Sequence, residues 1–219
     1  MAKTEQTSSM TAFDARKMIE KGALTSELEM ERAVWIERSL HLLTNDYPEL
    51  ESLRKEIFNL IVQYESIHWS NFDSIPKEQF KESNRAEKQV KREFAFFRKR
   101  KELILAKLKK YGLNQNDLAE ILAHSKSYTS ELLNSTRAFS MNDLIIIHRL
   151  FDIKLDDLIC TEISPETKKR IDAALKKVAS NPSKDQKAIS LVHSITATGQ
   201  SGLPKKDDEE YRKHPQPMS

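Results

Sequence analysis

A chain of 219 residues has room for one or two domains, but a hydrophobic content of 38% is low for a single large core, so part of it is expected to be extended or loose. Only four glycines, 32% charged residues and the lack of any segment with period-two alternation favour an almost wholly helical protein. Thirty-six basic residues against 33 acidic ones give a net charge of +3, which does not by itself announce a nucleic-acid ligand; the distribution of charge has to decide.

Residues 1–9 are small and polar, and 11–24 predict a weak helix with Phe13, Met18 and Ile19 on one side, so 1–24 is expected to be a mobile N-terminal arm. A helical region is predicted over 25–75. Thr25 and Ser26 offer a cap for a helix with its stripe through Ala33, Ile36, Leu40 and Leu43, and with Leu28, Trp35 and Leu42 along the edge. The Asn45-Asp46-Tyr47-Pro48 break then starts a second helix, with Leu50, Leu53, Ile57, Leu60, Ile61 and Tyr64 at spacings of three and four. Together they read as a hairpin, and its stripe through Leu50, Leu53, Ile57, Leu60 and Tyr64 is a candidate partner-binding surface.

After the linker at 70–76, a basic connecting helix is predicted over 76–102, part of a charged run that continues to Lys110. Its apolar positions are Phe80, Val90, Phe94 and Phe97, and Lys and Arg crowd the rest. Such a run is commonly a solvated face laced with glutamate partners. Beside a nucleic-acid-binding module, Arg98 and Arg100 become candidates for phosphate contact instead.

Residues 103–160 carry the most specific pattern. Asn114 and Gln115 precede a short helix with Leu118, Ile121 and Leu122 on one face and Ala119 small enough for a close crossing. A joint at 123–125 follows, and Ser125 caps a second helix that turns Thr129, Leu132 and Leu133 inward and Lys126, Ser127, Ser130 and Glu131 outward. Ser140 opens a further helix, whose Leu144, Ile147, His148 and Phe151 cover the pair from behind. Beyond it, Ser164-Pro165-Glu166 starts a C-terminal helix within 161–180, with a thin face of Ile171, Ala174, Leu175 and Val178. Residues 181–219 are expected to be a flexible tail, with one weak helix at 188–195.

Leu113, Gln115, Leu118, Ala119, Leu122, Ser125, Ser130, Asn134 and Arg137 fit, without a gap, the pattern of the XRE (Cro/cI-type repressor) helix-turn-helix family, which this segment resembles. The segment departs from the pattern where Ala123 and Ser135 replace its two glycines, His124 and Thr129 replace aliphatic core residues, and Phe139 replaces a proline. The expected fold is all-α: a helical N-terminal hairpin joined by the basic helix to a domain that the resemblance makes a five-helix XRE-type helix-turn-helix, followed by the flexible C-terminal tail that composition predicts. It also implies that Gln115, Asn134 and Arg137 hold DNA phosphates, while Lys126, Ser127, Tyr128 and Glu131 take the base-facing positions. From Glu29 to Ile159 the arrangement is similar to HigA-like antitoxins, a family that binds a HigB-like toxin protein and represses its own operon as a homodimer.

Three readings stay open: an autoregulating antitoxin, a solitary repressor with a helical dimerisation arm, and a helical adaptor that no longer grips DNA. Duplex DNA is the expected ligand in the first two. A protein partner is expected on the hairpin at 28–67 or on the segment beyond Ser164. Enzymatic activity is not expected, because the six histidines lack metal-ligand spacing and there is no glycine-rich phosphate loop; neither a cofactor nor a metal is implied. Cys160, the single cysteine, suits a reducing cytoplasm and has no internal partner. With no apolar run near the roughly 20 residues of a membrane span and no signal-peptide core, a soluble cytoplasmic protein is expected.

Overall fold

The computed structural model describes residues 13–71, 75–160 and 165–179. Those residues form nine α-helices and one 3-10 turn, and no strand is found among them. The expectations for 1–9, 188–195 and the rest of the tail at 181–219 lie outside the described residues. The chain divides into two units, 1–161 and 162–219.

The first unit opens with a correction. Residues 13–24 are not a mobile arm: Phe13, Ala15 and Leu24 are buried in the core, and α1 (Ala15–Lys21) lies between them. The Phe13 ring meets Phe97 edge-on at 5.1 Å, a burial worth roughly 1.5–3 kcal/mol. The Phe13 amide donates to the Ser135 carbonyl at 3.0 Å and the Ala15 amide to Thr136 at 2.9 Å. Gly22, at φ +79°, closes α1 in the left-handed conformation that glycine takes without a steric penalty.

Helix α2 (Glu27–Leu43) is capped by Ser26, whose Oγ accepts from the Glu29 amide. After a 3-10 turn at Pro48–Leu50, helix α3 (Glu51–His68) returns against it. Ala33, Ile36, Leu40 and Leu43 share one core cluster with Leu50, Ile57, Ile61 and Tyr64, as the periodicity predicts. The stripe expected to receive a partner is therefore the inner face. Leu50, Ile57 and Tyr64 are buried and Leu53 and Leu60 pack against them, whereas the apolar side chains left exposed are Leu42, Phe58, Val62 and Ile67.

Glu27 locks the base of this hairpin. Its buried carboxylate accepts from the Tyr64 hydroxyl at 3.0 Å, the Trp69 indole at 3.1 Å and the Gln79 amide at 3.4 Å, and burial together with that carboxylate pushes the Tyr64 phenol above its usual range.

Helix α4 (Lys77–Lys110) has 34 residues and so extends about 50 Å. Its buried positions are Ala86, Val90, Glu93, Phe97, Arg100, Ile104 and Leu108, spaced by threes and fours as one stripe. The upper part packs on the hairpin, where Trp35 stacks on Phe94 at 4.1 Å. There Arg32 donates to both Glu93 oxygens, at 3.0 and 2.8 Å, with Gln89 adding a third donor at 2.9 Å. Removing one partner of such a pair costs about 3–5 kcal/mol, because the other charge stays buried.

The lower part of α4 supplies Ile104 and Leu108 to a second core cluster. This cluster is completed by α5 (Gln115–Ile121), α6 (Lys126–Leu133), α7 (Met141–Phe151) and α8 (Leu155–Leu158) through Leu118, Leu122, Leu132, Leu133, Leu144, Ile147, Phe151 and Leu158. On α5 the buried face is Leu118, Ala119 and Leu122, and Ile121 is exposed, contrary to expectation. At 100° per residue, Ala119 and Leu122 lie to the same side of Leu118, and Ile121 lies on the other.

In the second unit, α9 (Pro165–Ala179) begins at the predicted proline, and its Ile171 and Leu175, four residues apart, are both half-buried. Among the described residues no helix is long and apolar enough to cross a membrane.

Candidate functional site

Side-chain caps on two successive short helices build the site. Asn114 Oδ1 accepts from the amides of Asn116 and Asp117, while Asp117 accepts from the Asn114 amide at 2.7 Å, a reciprocal capping box that fixes where α5 starts. The chain then reverses at Ala123, whose φ is +56°, and the His124 amide donates back to the Ala119 carbonyl at 2.9 Å. Ser125 caps α6 by accepting from the Tyr128 amide at 3.2 Å. Past α6, Ser135 takes a φ of +59°.

Only the first turn of α6 projects. Lys126 is exposed and Ser127 half-buried, so these two expected base-facing residues both reach solvent on that turn. Tyr128 is half-buried in a stacked row, with the His124 ring at 4.4 Å and the Arg137 guanidinium 4.1 Å from its centroid. His124 Nε2 in turn lies 3.1 Å from Asp143 Oδ1.

Glu131 is not an outward reader. It is 1% exposed, with its carboxylate bonded to the Arg16 guanidinium from α1 and 3.5 Å from Arg137 Nη2. Ser130, expected outside as well, is buried. Arg16 on α1 covers Glu131, and the Phe13 and Ala15 amides bond to the carbonyls of Ser135 and Thr136 just past the end of α6.

The phosphate candidates separate. Gln115 is half-buried in the first turn of α5. Asn134 is half-buried at the end of α6, where its amide donates to the Ser130 carbonyl and its oxygen accepts from Lys101 Nζ, both at 2.8 Å. Arg137 retains 20% side-chain exposure. Arg98 is exposed and 3.9 Å from Glu102, the solvated pairing common on such helices.

Arg100, expected to contact phosphate, is buried instead. It is 1% exposed, donates to the Leu158 carbonyl at 3.2 Å and to Ser135 Oγ at 3.0 Å, and lies 5.0 Å from the centroids of both Phe97 and Phe139. Burial pushes its pKa down to about 10, a fall opposed by Cys160, and it remains a cation at neutral pH. A phosphate has no access to it.

Protein-family models, curated proteins and solved structures give no match to this chain. The site offers an ammonium and a hydroxyl on the first turn of α6, two guanidinium groups beside that helix, and Lys101 on α4, whose pKa is lowered by burial. Such donors suit an anionic, oxygen-rich ligand. Among the described residues no three His, Cys, Asp or Glu side chains are grouped to hold a metal ion.

Two contributors, Arg16 and Lys101, escape sequence reasoning. Arg16 is separated from Glu131 by 115 residues, so no local pattern couples them. Lys101 is one of many lysines in a basic run, and only its contact with Asn134 sets it apart.

Proposed function

We propose that this chain is a sequence-specific duplex-DNA-binding protein of the Cro/cI-type helix-turn-helix kind, with α5 as the supporting helix and α6 as the reading helix. The observation that carries the reading is the backbone at Ala123 and Ser135. Both take the left-handed conformation, at the two positions where the resembled pattern has glycine, although neither residue is a glycine. Acceptance of this strain twice, on either side of one short helix, supports the turns of such a motif.

The open first turn of α6 adds support, since reading helices of this kind present their N-terminal residues to base edges. Lys126 and Ser127 are the bases' contacts in this proposal, Lys126 donating to guanine O6 and N7. Gln115, Asn134 and Arg137 hold phosphates, and two copies read a two-fold site. Selecting bound sequences from a random duplex pool tests it. Lys126→Ala with Ser127→Ala should relax sequence preference at roughly 1–3 kcal/mol per lost contact, and an unchanged preference would remove α6 as the reader.

The finer proposal, an antitoxin that silences a HigB-like toxin and represses its own operon, is supported by the exposed Leu42, Phe58, Val62 and Ile67 on the α2–α3 hairpin, apolar surface that suits a protein partner. Co-purification with the product of the adjacent gene tests it. A partner retained by a Phe58→Glu, Val62→Glu chain would exclude this surface.

A further inference from the structure

We propose that α1 belongs to the DNA-facing surface, and that Glu131 holds Arg16 and Arg137 as a paired phosphate contact instead of reading a base. The inference rests on the DNA-binding reading above and deepens it.

Glu131 is sealed. Arg16 engages both carboxylate oxygens, through Nη1 on Oε2 and through Nη2 on Oε1 at 3.3 Å, and Arg137 Nη2 lies 3.5 Å from Oε1. For Glu131 to accept a hydrogen bond from a base, it would have to leave two cations and cross from a site where 2% of its side chain meets solvent. Helix α6 can read with its first turn and has no such freedom in its second.

Two guanidinium groups on one carboxylate leave a net positive charge. Each guanidinium carries five N–H donors in a rigid fork, and the Glu131 contacts use Nη1 and Nη2 of Arg16 and Nη2 of Arg137. Arg16 keeps 41% of its side chain exposed and Arg137 20%, so both reach solvent beside the helix that carries Lys126 and Ser127, although Arg137 Nε is buried without a partner. A phosphodiester oxygen is the partner this fork geometry takes best. Tyr128 braces the Arg137 side from below by stacking.

The arm that delivers Arg16 is fixed. Phe13 and Ala15 are buried, and their amides donate to the carbonyls of Ser135 and Thr136, immediately after α6. Arg16 therefore reaches Glu131 on a segment tied to the end of that helix at two successive points, so its placement needs no ordering when DNA arrives. This anchoring also argues against a shield that swings away, since displacement would expose Phe13 and break both backbone bonds.

The test uses the full chain and two duplexes, one selected by the wild type and one unrelated, with affinity measured across a salt series. Arg16→Ala should weaken both duplexes alike, by about three- to tenfold, and flatten the slope of log affinity against log salt by about one unit. Glu131→Gln should weaken both and leave the order of sequence preference unchanged. Arg16→Ala that leaves affinity and slope unaltered would overturn the proposal, and so would tighter binding, the mark of a shielding arm. Glu131→Gln that changes preference at one base pair would restore it as a reader. If Glu131→Gln unfolds, the partly exposed Arg16→Ala decides alone. A wild type that binds neither duplex refutes the DNA reading and this inference with it; a wild type that binds while Arg16→Ala changes nothing refutes this inference only.

Discussion

Ala123 and Ser135 hold left-handed backbone with a Cβ present, a conformation that costs an L-residue roughly 1–2 kcal/mol. Ala123 is exposed and no side-chain hydrogen bond depends on it, so Ala123→Gly should relieve the strain, raising unfolding stability by about 1 kcal/mol in a denaturant titration. A loss of stability in that variant would mean that the turn does not have this backbone. Ser135→Gly should gain less, because it also deletes the Oγ that accepts from buried Arg100. The strain was half legible in the sequence, where the absence of glycine at both positions left only a strained or an altered turn. Arg100 and Glu131 carry charges that in a sequence suggest exposure, and both are buried. Yet Arg100 falls three residues after Phe97 and four before Ile104, on the stripe that α4 buries, so spacing had already placed it inside. Glu131 had no such signal, because the arginine that covers it comes from the other end of the chain.

Helix α4 joins two hydrophobic clusters that share no other long element. Val90 and Phe97 belong to the first cluster, Ile104 and Leu108 to the second, and Arg100 lies between with an aromatic ring from each. Folding of the first unit is accordingly cooperative only while α4 stays continuous. Glu102 is exposed and between the clusters, so Glu102→Pro should break one backbone hydrogen bond and crowd the carbonyl of Arg98, at about 3 kcal/mol or more. Its thermal unfolding followed by circular dichroism should split into two steps where the wild type has one. A single step near the wild-type midpoint would show that α1, which also touches both halves, is the stronger coupler. Helices α2, α6 and α7 are legible because caps and apolar spacing agree in each, and α3, which has no side-chain cap, is legible from the break at Pro48 and its spacing alone. The role of α1 was not, since seven residues with a weak stripe say nothing of the backbone bonds that Phe13 and Ala15 make to residues 135 and 136.

At the scale of the whole chain, an overall charge of +3 conceals an uneven arrangement. Along α4, Lys81, Lys91 and Arg98 pair with the neighbouring Glu78, Glu87 and Glu102, and Lys99 reaches Asp157. Beside α6, by contrast, Arg16 and Arg137 share one carboxylate, and Lys126 stands on the open turn. In the proposed reading the DNA-facing surface is assembled from residues 16, 126, 127 and 137, which only folding brings beside one helix. If that surface binds DNA, its affinity must carry both a salt-dependent phosphate component and a sequence-dependent one. The most direct test is the affinity of the full wild-type chain for a selected duplex and a scrambled one, from about 50 to 200 mM salt. The account predicts that both bind at low salt, that both weaken linearly in log salt, and that the selected duplex stays tighter throughout; binding to neither at the lowest salt would contradict it.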